Sequence, residues 1–321
     1  MDVLVLGGTA FLGSALARHL LSHDHAVTCL ARGSRPVPAG ANLVRADRDQ
    51  PGALAPVAHR DWDVIIDLTS QPMHASRAAA ELTTRHWIVV SSGSVYADFS
   101  VPEQPATSPT VAPLDEERME DMSQYGAAKV ACERAYLGLN QPVTVIRPGL
   151  IGGAGDWTGR SGYYPWRFAH PTGADVLVPD PTQPTAILDV QDLAAWIVHC
   201  AHETVTGVFN AAGATTTLAE VYQLSQSLTG SPASIRVIDD QRLLEEGIRP
   251  WMGPRSLPLW IPVPGMRHMA TLDCGPARAN GLRTRSLAET LEAVLRYEER
   301  RDVPRQAGLT DAEEAALRAV L

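Results

Sequence analysis

Val3-Leu4-Val5-Leu6-Gly7-Gly8-Thr9-Ala10-Phe11-Leu12-Gly13 opens the chain with an apolar strand, a glycine turn and the start of a helix. Such a turn aims free backbone N–H groups and a helix N-terminus at one spot, which suits the pyrophosphate of a dinucleotide. Gly7 permits the tight turn, and Gly13 lets the helix pack close to the strand. Ala10 occupies the middle position, where another glycine would allow the closest approach, so the turn is adjusted by one methyl group. Thr9, Phe11 and Leu12 complete the residues expected against the cofactor. A GxxxxxG pattern alone is weak evidence; between a strand and a helix, heading an alternating chain, it is specific.

Outward from this turn, strand-like and helix-like segments alternate. Apolar runs at 26–30, 64–68, 87–90 and 143–146 read as strands, and 11–21, 75–82 and 127–137 read as helices. Continuous apolar strands between helices predict an α/β fold, a Rossmann-type doubly wound parallel sheet covered on both faces. After Pro148, Gly and Pro become frequent, and tryptophans stand at positions 157, 166, 251 and 260. This texture predicts a smaller, mixed C-terminal substrate domain. The expected division is a dinucleotide-binding domain over 1–150, a return to its sheet over 185–212, and a substrate-binding domain over 151–184 and 213–321. Residues 286–298 read as an amphipathic helix.

The 321 residues are 45% hydrophobic and 20% charged, with a formal charge of −9. An acidic chain without a basic run is a poor partner for nucleic acid or an anionic membrane. No run of about 18 apolar residues occurs, so no transmembrane helix is expected. Nor does the N-terminus read as a signal peptide. Cys29, Cys132, Cys200 and Cys274 lack CxxC spacing, and no His/Asp/Glu grouping has metal-site spacing. A cytoplasmic protein without a metal is the expectation.

The end of the second strand discriminates between the two nicotinamide dinucleotides: an acid there binds the ribose 2′-OH, and a base accepts a 2′-phosphate. Here it reads Cys29-Leu30-Ala31-Arg32-Gly33-Ser34-Arg35, with no acid. Arg32 and Arg35 favour NADP(H), with NAD(H) as the alternative.

Tyr125-Gly126-Ala127-Ala128-Lys129 places a phenol and an ammonium four apart, on one helical face. A phenol of ordinary pKa about 10 is a poor acid or base at neutral pH. A neighbouring ammonium lowers that value by stabilising the phenolate. The strand 87–90 runs into Ser91-Ser92-Gly93-Ser94-Val95-Tyr96, and a strand end in such a sheet is where ligands bind. The Ser92 hydroxyl is placed to hold a reacting oxygen, with Ser94 and Tyr96 lining the same loop. Trp157, Tyr164 and Trp166 stand among aromatics read first as the core of the second domain, with an aromatic-lined substrate pocket as the sharper alternative.

With these pieces in order, the sequence resembles the extended short-chain dehydrogenase/reductase family, its NAD-dependent epimerase/dehydratase group. The resemblance rests on the glycine turn, the SSxxVY segment, YxxxK, Arg147-Pro148-Gly149, the segment 188–194, the strand-like 207–210 and the segment 277–282. It implies Tyr125 as acid/base, Lys129 as its partner and ribose ligand, and Ser92 as ligand of the substrate oxygen. It further implies cofactor contacts at Asp47, Leu68, Thr69 and Pro148, and a homodimer. Asp67 departs from the family's more usual His. Gly93 and Ser94 stand where sugar-nucleotide dehydratases carry an Asp–Glu pair, so elimination of water lacks its catalysts. The glycine turn looks closest to a divergent branch described as reductases. The expected function is therefore an NADP(H)-dependent oxidoreductase for a carbonyl or secondary alcohol of a small molecule. An NAD-dependent nucleotide-sugar epimerase is the alternative, and a non-catalytic dinucleotide sensor the alternative of another class.

Overall fold

The computed structural model describes the chain from Met1 to Leu321. Seven strands form one parallel sheet: β1 (Asp2–Leu6), β2 (Ala26–Ala31), β3 (Asn42–Arg45), β4 (Trp62–Asp67), β5 (Thr84–Val90), β6 (Val143–Pro148) and β7 (Gly207–Ala211). Their spatial order is β3-β2-β1-β4-β5-β6-β7. The sheet is the Rossmann-type doubly wound one. Its order reverses between β1 and β4, where Val3 pairs with Val27 on one side and Val64 on the other. A crevice for ligands opens at the carboxyl ends of the strands on either side of such a reversal.

β1 shows why the strands read as unbroken apolar runs. Val3 and Val5 join a buried layer with α1 (Phe11–Ser22) and the helix Val190–Glu203. Leu4 and Leu6 join the opposite layer with the helix Pro72–Glu81 and the helix Tyr125–Leu137. Each such side chain, fully enclosed, contributes about 1.5–3 kcal/mol. The sequence patterning missed β3, a four-residue edge strand whose side chains are exposed or half-buried. Two helices begin earlier than the periodicity indicated. One starts at Pro72, whose missing N–H suits a first turn, and the other at Tyr125.

After β6 the chain leaves the sheet and comes back as β7, with Phe209 opposite Ile146. The segments on either side of this return build a second core, including Tyr163, Tyr164, Phe168, Tyr222 and Trp260. Short strand pairs hold it, among them Ile187–Asp189 against Leu150–Gly152 and Ser234–Val237 against Asp175–Val178. The helix Leu287–Glu298 starts with a capping box between Ser286 and Glu289. No helix is long and apolar enough to cross a membrane.

Candidate active site

The glycine turn is built by exclusion. Gly7 has φ 102°, a backbone that favours glycine. A Cβ on Gly8 would sit 2.4 Å from the Cys29 sulfur, and one on Gly13 would sit 2.3 Å from the Gly7 carbonyl oxygen. Gly8 thus seats the turn on β2, a role the sequence pattern did not assign. Ala10 is the N-cap of α1, and no side chain caps that end. The first-turn N–H groups next to Thr9, Phe11 and Leu12 therefore remain open to an anion.

At the end of β2, Arg32 and Arg35 are exposed, and neither has an ion-pair partner. Arg45, at the end of β3, lies against Gly33, its Nε 3.0 Å from where a Cβ would stand. Two exposed arginines thus flank Gly33 in the sequence and a third packs against it, at a strand end with no acid. Half-buried Asp47 closes a local turn, its carboxylate accepting from the Asp49 N–H at 3.1 Å.

At the end of β4, Asp67 is fully buried. Arg48 donates to both its oxygens at 2.8 Å, the Tyr136 hydroxyl donates at 2.5 Å and the Thr69 N–H at 2.9 Å. Burial pushes its carboxyl upward, but Arg48, Tyr136 and Thr69 outweigh that and hold it below the usual carboxylate value. Burial beside this carboxylate pushes the Tyr136 phenol well above its ordinary value, so it stays a donor. The cluster fixes the strand end where Leu68 packs beside Gly7 and the Thr69 hydroxyl oxygen accepts from the Gln71 N–H. Its partners lie 19 and 69 residues away, beyond the reach of local spacing.

At the end of β5, Ser92 caps the short turn Gly93–Val95. Its oxygen accepts from the Ser94 N–H and its hydroxyl donates to Ser94 Oγ, both at 3.1 Å. Lys129 is buried, and its Nζ donates to the Thr69 and Val90 carbonyls at 2.5 Å each. One ammonium thereby spans the ends of β4 and β5. It is also the only lysine of the chain; every other fixed cation is an arginine. Tyr125 opens its helix one turn before Lys129, and its hydroxyl is claimed by no other side chain. Gly126 lets that helix press onto the serine turn, since a Cβ there would sit 2.3 Å from the Ser94 carbonyl oxygen. The helix that carries Tyr125 and Lys129 thus packs on the turn that carries Ser92. Pro148, at the end of β6, closes it from the side, its carbonyl 3.5 Å from the Cβ position of Gly93.

The aromatic substrate pocket is corrected. Tyr96 is 1% exposed, and its hydroxyl donates to Asn210 at 2.5 Å and accepts from Arg147 at 3.3 Å. It packs over the Arg147 guanidinium, itself closed on Glu133 at 2.7 Å, and lines nothing open. Tyr164 is likewise buried, its hydroxyl donating to the Pro258 carbonyl and its ring tilted on Tyr222. The Trp166 ring is covered by Arg305, 3.6 Å from its centroid, and Trp157 is exposed. These rings do not converge on one cavity.

The loop 153–161 reaches the start of α1: a Cβ on Gly155 would stand 3.5 Å from the Phe11 ring. The Asp156 carboxylate ties it internally to Thr158 and Ser161. Arg301 clamps it from outside, donating to the Asp156 carbonyl at 2.5 Å and the Trp157 carbonyl at 3.0 Å. Buried Glu298 holds both Arg301 and Arg305, at 2.6 and 2.7 Å.

Comparison with known proteins agrees with this architecture. A family model described as "NAD dependent epimerase/dehydratase family" matches residues 3–212. No curated protein matches the sequence. Among solved structures, the Bordetella bronchiseptica enzyme WbmG in complex with NAD superposes with TM-score 0.69 at 18% identity, covering 96% of this chain and 97% of that one. UDP-glucuronic acid 4-epimerase from Bacillus cereus, in complex with NAD, gives 0.67 at 16%, covering 94% and 99%. UDP-glucose 4-epimerase from Thermotoga maritima, with UDP-glucose, gives 0.66 at 18%, again covering 94% and 99%. At these identities the likeness is one of fold.

Proposed function

Because the chain belongs to the NAD dependent epimerase/dehydratase family, we propose that it is an NADP(H)-dependent oxidoreductase acting on a carbonyl or secondary alcohol of a small molecule. The observation that carries this is the chain's single lysine, pinned across two strand ends one helical turn from a free phenol and beside Ser92. The uncapped α1 terminus and the crowded glycines fit a pyrophosphate, and the arginines around Gly33 fit a 2′-phosphate. When bound, the nicotinamide supplies or accepts the hydride.

The protein's own groups do the rest. Ser92 turns its hydroxyl from Ser94 Oγ to the substrate oxygen, donates to it there and orients the reacting carbon. Tyr125 gives its hydroxyl proton to that oxygen in reduction and takes one back in oxidation. The Lys129 ammonium stabilises the phenolate and holds the ribose. Buried thiols without a disulfide among Cys29, Cys132, Cys200 and Cys274 suit a cytoplasmic setting. The runner-up is a nucleotide-sugar epimerase, favoured by the names of the solved neighbours, in which the hydride leaves and returns.

A fluorescence titration with NADPH and NADH tests the cofactor. The wild type should prefer NADPH, and Arg32→Ala should lose about 10–100-fold in NADPH affinity, the worth of one charge-assisted hydrogen bond. A wild-type preference for NADH, or tight NAD released from the denatured protein, would favour the epimerase instead.

A further inference from the structure

The loop 153–161, which meets the start of α1 at Phe11, carries a guanidinium without a carboxylate partner. The buried Arg147 and Arg167 and the half-buried Arg48, Arg285, Arg301 and Arg305 each close on a carboxylate. Half-buried Arg160 does not. Arg77, Arg236 and Arg255 share that lack, but they stand outside this loop, on the helix Pro72–Glu81, the strand Ser234–Val237 and the turn before Ser256. Its guanidinium makes one hydrogen bond within the chain, from Nε to Thr158 Oγ1 at 3.2 Å. The adjacent acid, Asp156, already spends both oxygens on Thr158 and Ser161.

Arg160 is nonetheless held in place. Its guanidinium lies over the Trp251 ring, 5.1 Å from the centroid. Trp251 has φ 69°, a backbone that a bulky residue keeps only where its surroundings impose it. Arg301 clamps the stretch just before Arg160, and the Gln306 N–H donates to the Thr158 carbonyl at 3.0 Å. Tyr125 lies within its electrostatic reach: burial lowers the Arg160 pKa, and Asp156 and Tyr125 pull it back up. A guanidinium remains charged throughout, and its Nη donors form a fork that fits an oxyanion. A partly enclosed cation with no internal partner carries a desolvation penalty that an arriving anion relieves.

We propose that Arg160 is an anion subsite, so that the substrate carries a carboxylate or phosphate close to the carbon served by Tyr125 and Ser92. The inference rests on the oxidoreductase assignment of Tyr125, but the subsite binds its anion whether or not a hydride moves. Calorimetry on the full chain saturated with NADPH, titrated separately with inorganic phosphate and with succinate, tests it. At least one probe should bind the wild type. Arg160→Met should weaken that binding by at least about tenfold with NADPH affinity unchanged, and Arg160→Lys should restore part of it. Binding of phosphate alone identifies a phosphorylated substrate, and binding of succinate alone a carboxylate. If neither probe binds, or if Arg160→Met binds them as the wild type does, the subsite is refuted. If NADPH fails to bind while the anion still depends on Arg160, the cofactor assignment falls and the subsite stands.

Discussion

Gly13→Ala places one methyl group between two pieces of backbone. Its Cβ would lie 2.3 Å from the Gly7 carbonyl oxygen and 2.8 Å from the Gly8 Cα. Ordinary carbon contacts start near ~3.5 Å, so the α1 terminus and the glycine turn must separate by roughly 1 Å. Neither neighbour is a flexible side chain that can swing away. An amide-to-phosphate hydrogen bond of about 2.9 Å stretched by that amount no longer qualifies as one. Each charge-assisted bond is worth about 1.5–3 kcal/mol, so losing one weakens the dinucleotide by about 10–100-fold. The fold itself should lose about 1–3 kcal/mol from overpacking, a fraction of a typical domain's stability. Gly230→Ala is the control: its φ of 62° brings strain, but a Cβ there meets nothing within 4 Å. Fluorescence titration with NADPH, alongside urea unfolding of both variants, reads the two effects separately. If folded Gly13→Ala binds NADPH within about threefold of the wild type, the turn does not hold the pyrophosphate.

Two further outcomes follow from the strand ends. Asp67→Asn leaves Arg48 without its buried partner and should destabilise the fold by about 3–5 kcal/mol at neutral pH by urea unfolding. Because the folded Asp67 pKa is held below the ordinary ~3.9, that stabilisation is complete above the unfolded value and is lost as the pH falls through the folded one. The gap between wild type and variant should therefore stay constant down to about pH 4 and narrow below it; a gap that widens on acidification would contradict the assignment. Lys129→Ala removes the chain's single lysine and should weaken NADPH by about tenfold or more in a fluorescence titration; unchanged affinity would place the ribose elsewhere.

What the sequence revealed followed the range of each signal. β1, the glycine turn and α1 are contiguous, and their apolar alternation reports a sheet covered on both faces. The Tyr125–Lys129 spacing is a single helical turn. The Asp67–Arg48–Tyr136 cluster was not legible, because three elements far apart in the chain supply it. Tyr96 misled for the same reason: its loop position suggested an open site, while Asn210, 114 residues later, draws its hydroxyl inward. Trp166 and Tyr164 stood in an irregular aromatic segment, where spacing does not separate a core from a pocket. Gly8 and Gly126 were visible as glycines, but the Cys29 sulfur and the Ser94 carbonyl that require them come from elsewhere in the fold.

The most direct measurement is transfer of deuterium from NADPH labelled at nicotinamide C4 to a panel of carboxylate- and phosphate-bearing carbonyl compounds, followed by mass spectrometry. The wild type should place the label on the carbinol carbon of at least one compound. Tyr125→Phe should bind NADPH with nearly unchanged affinity and lose turnover by about 10²-fold or more. Label transfer at the wild-type rate by Tyr125→Phe, or its absence across the panel with NADPH bound, would contradict the proposed chemistry.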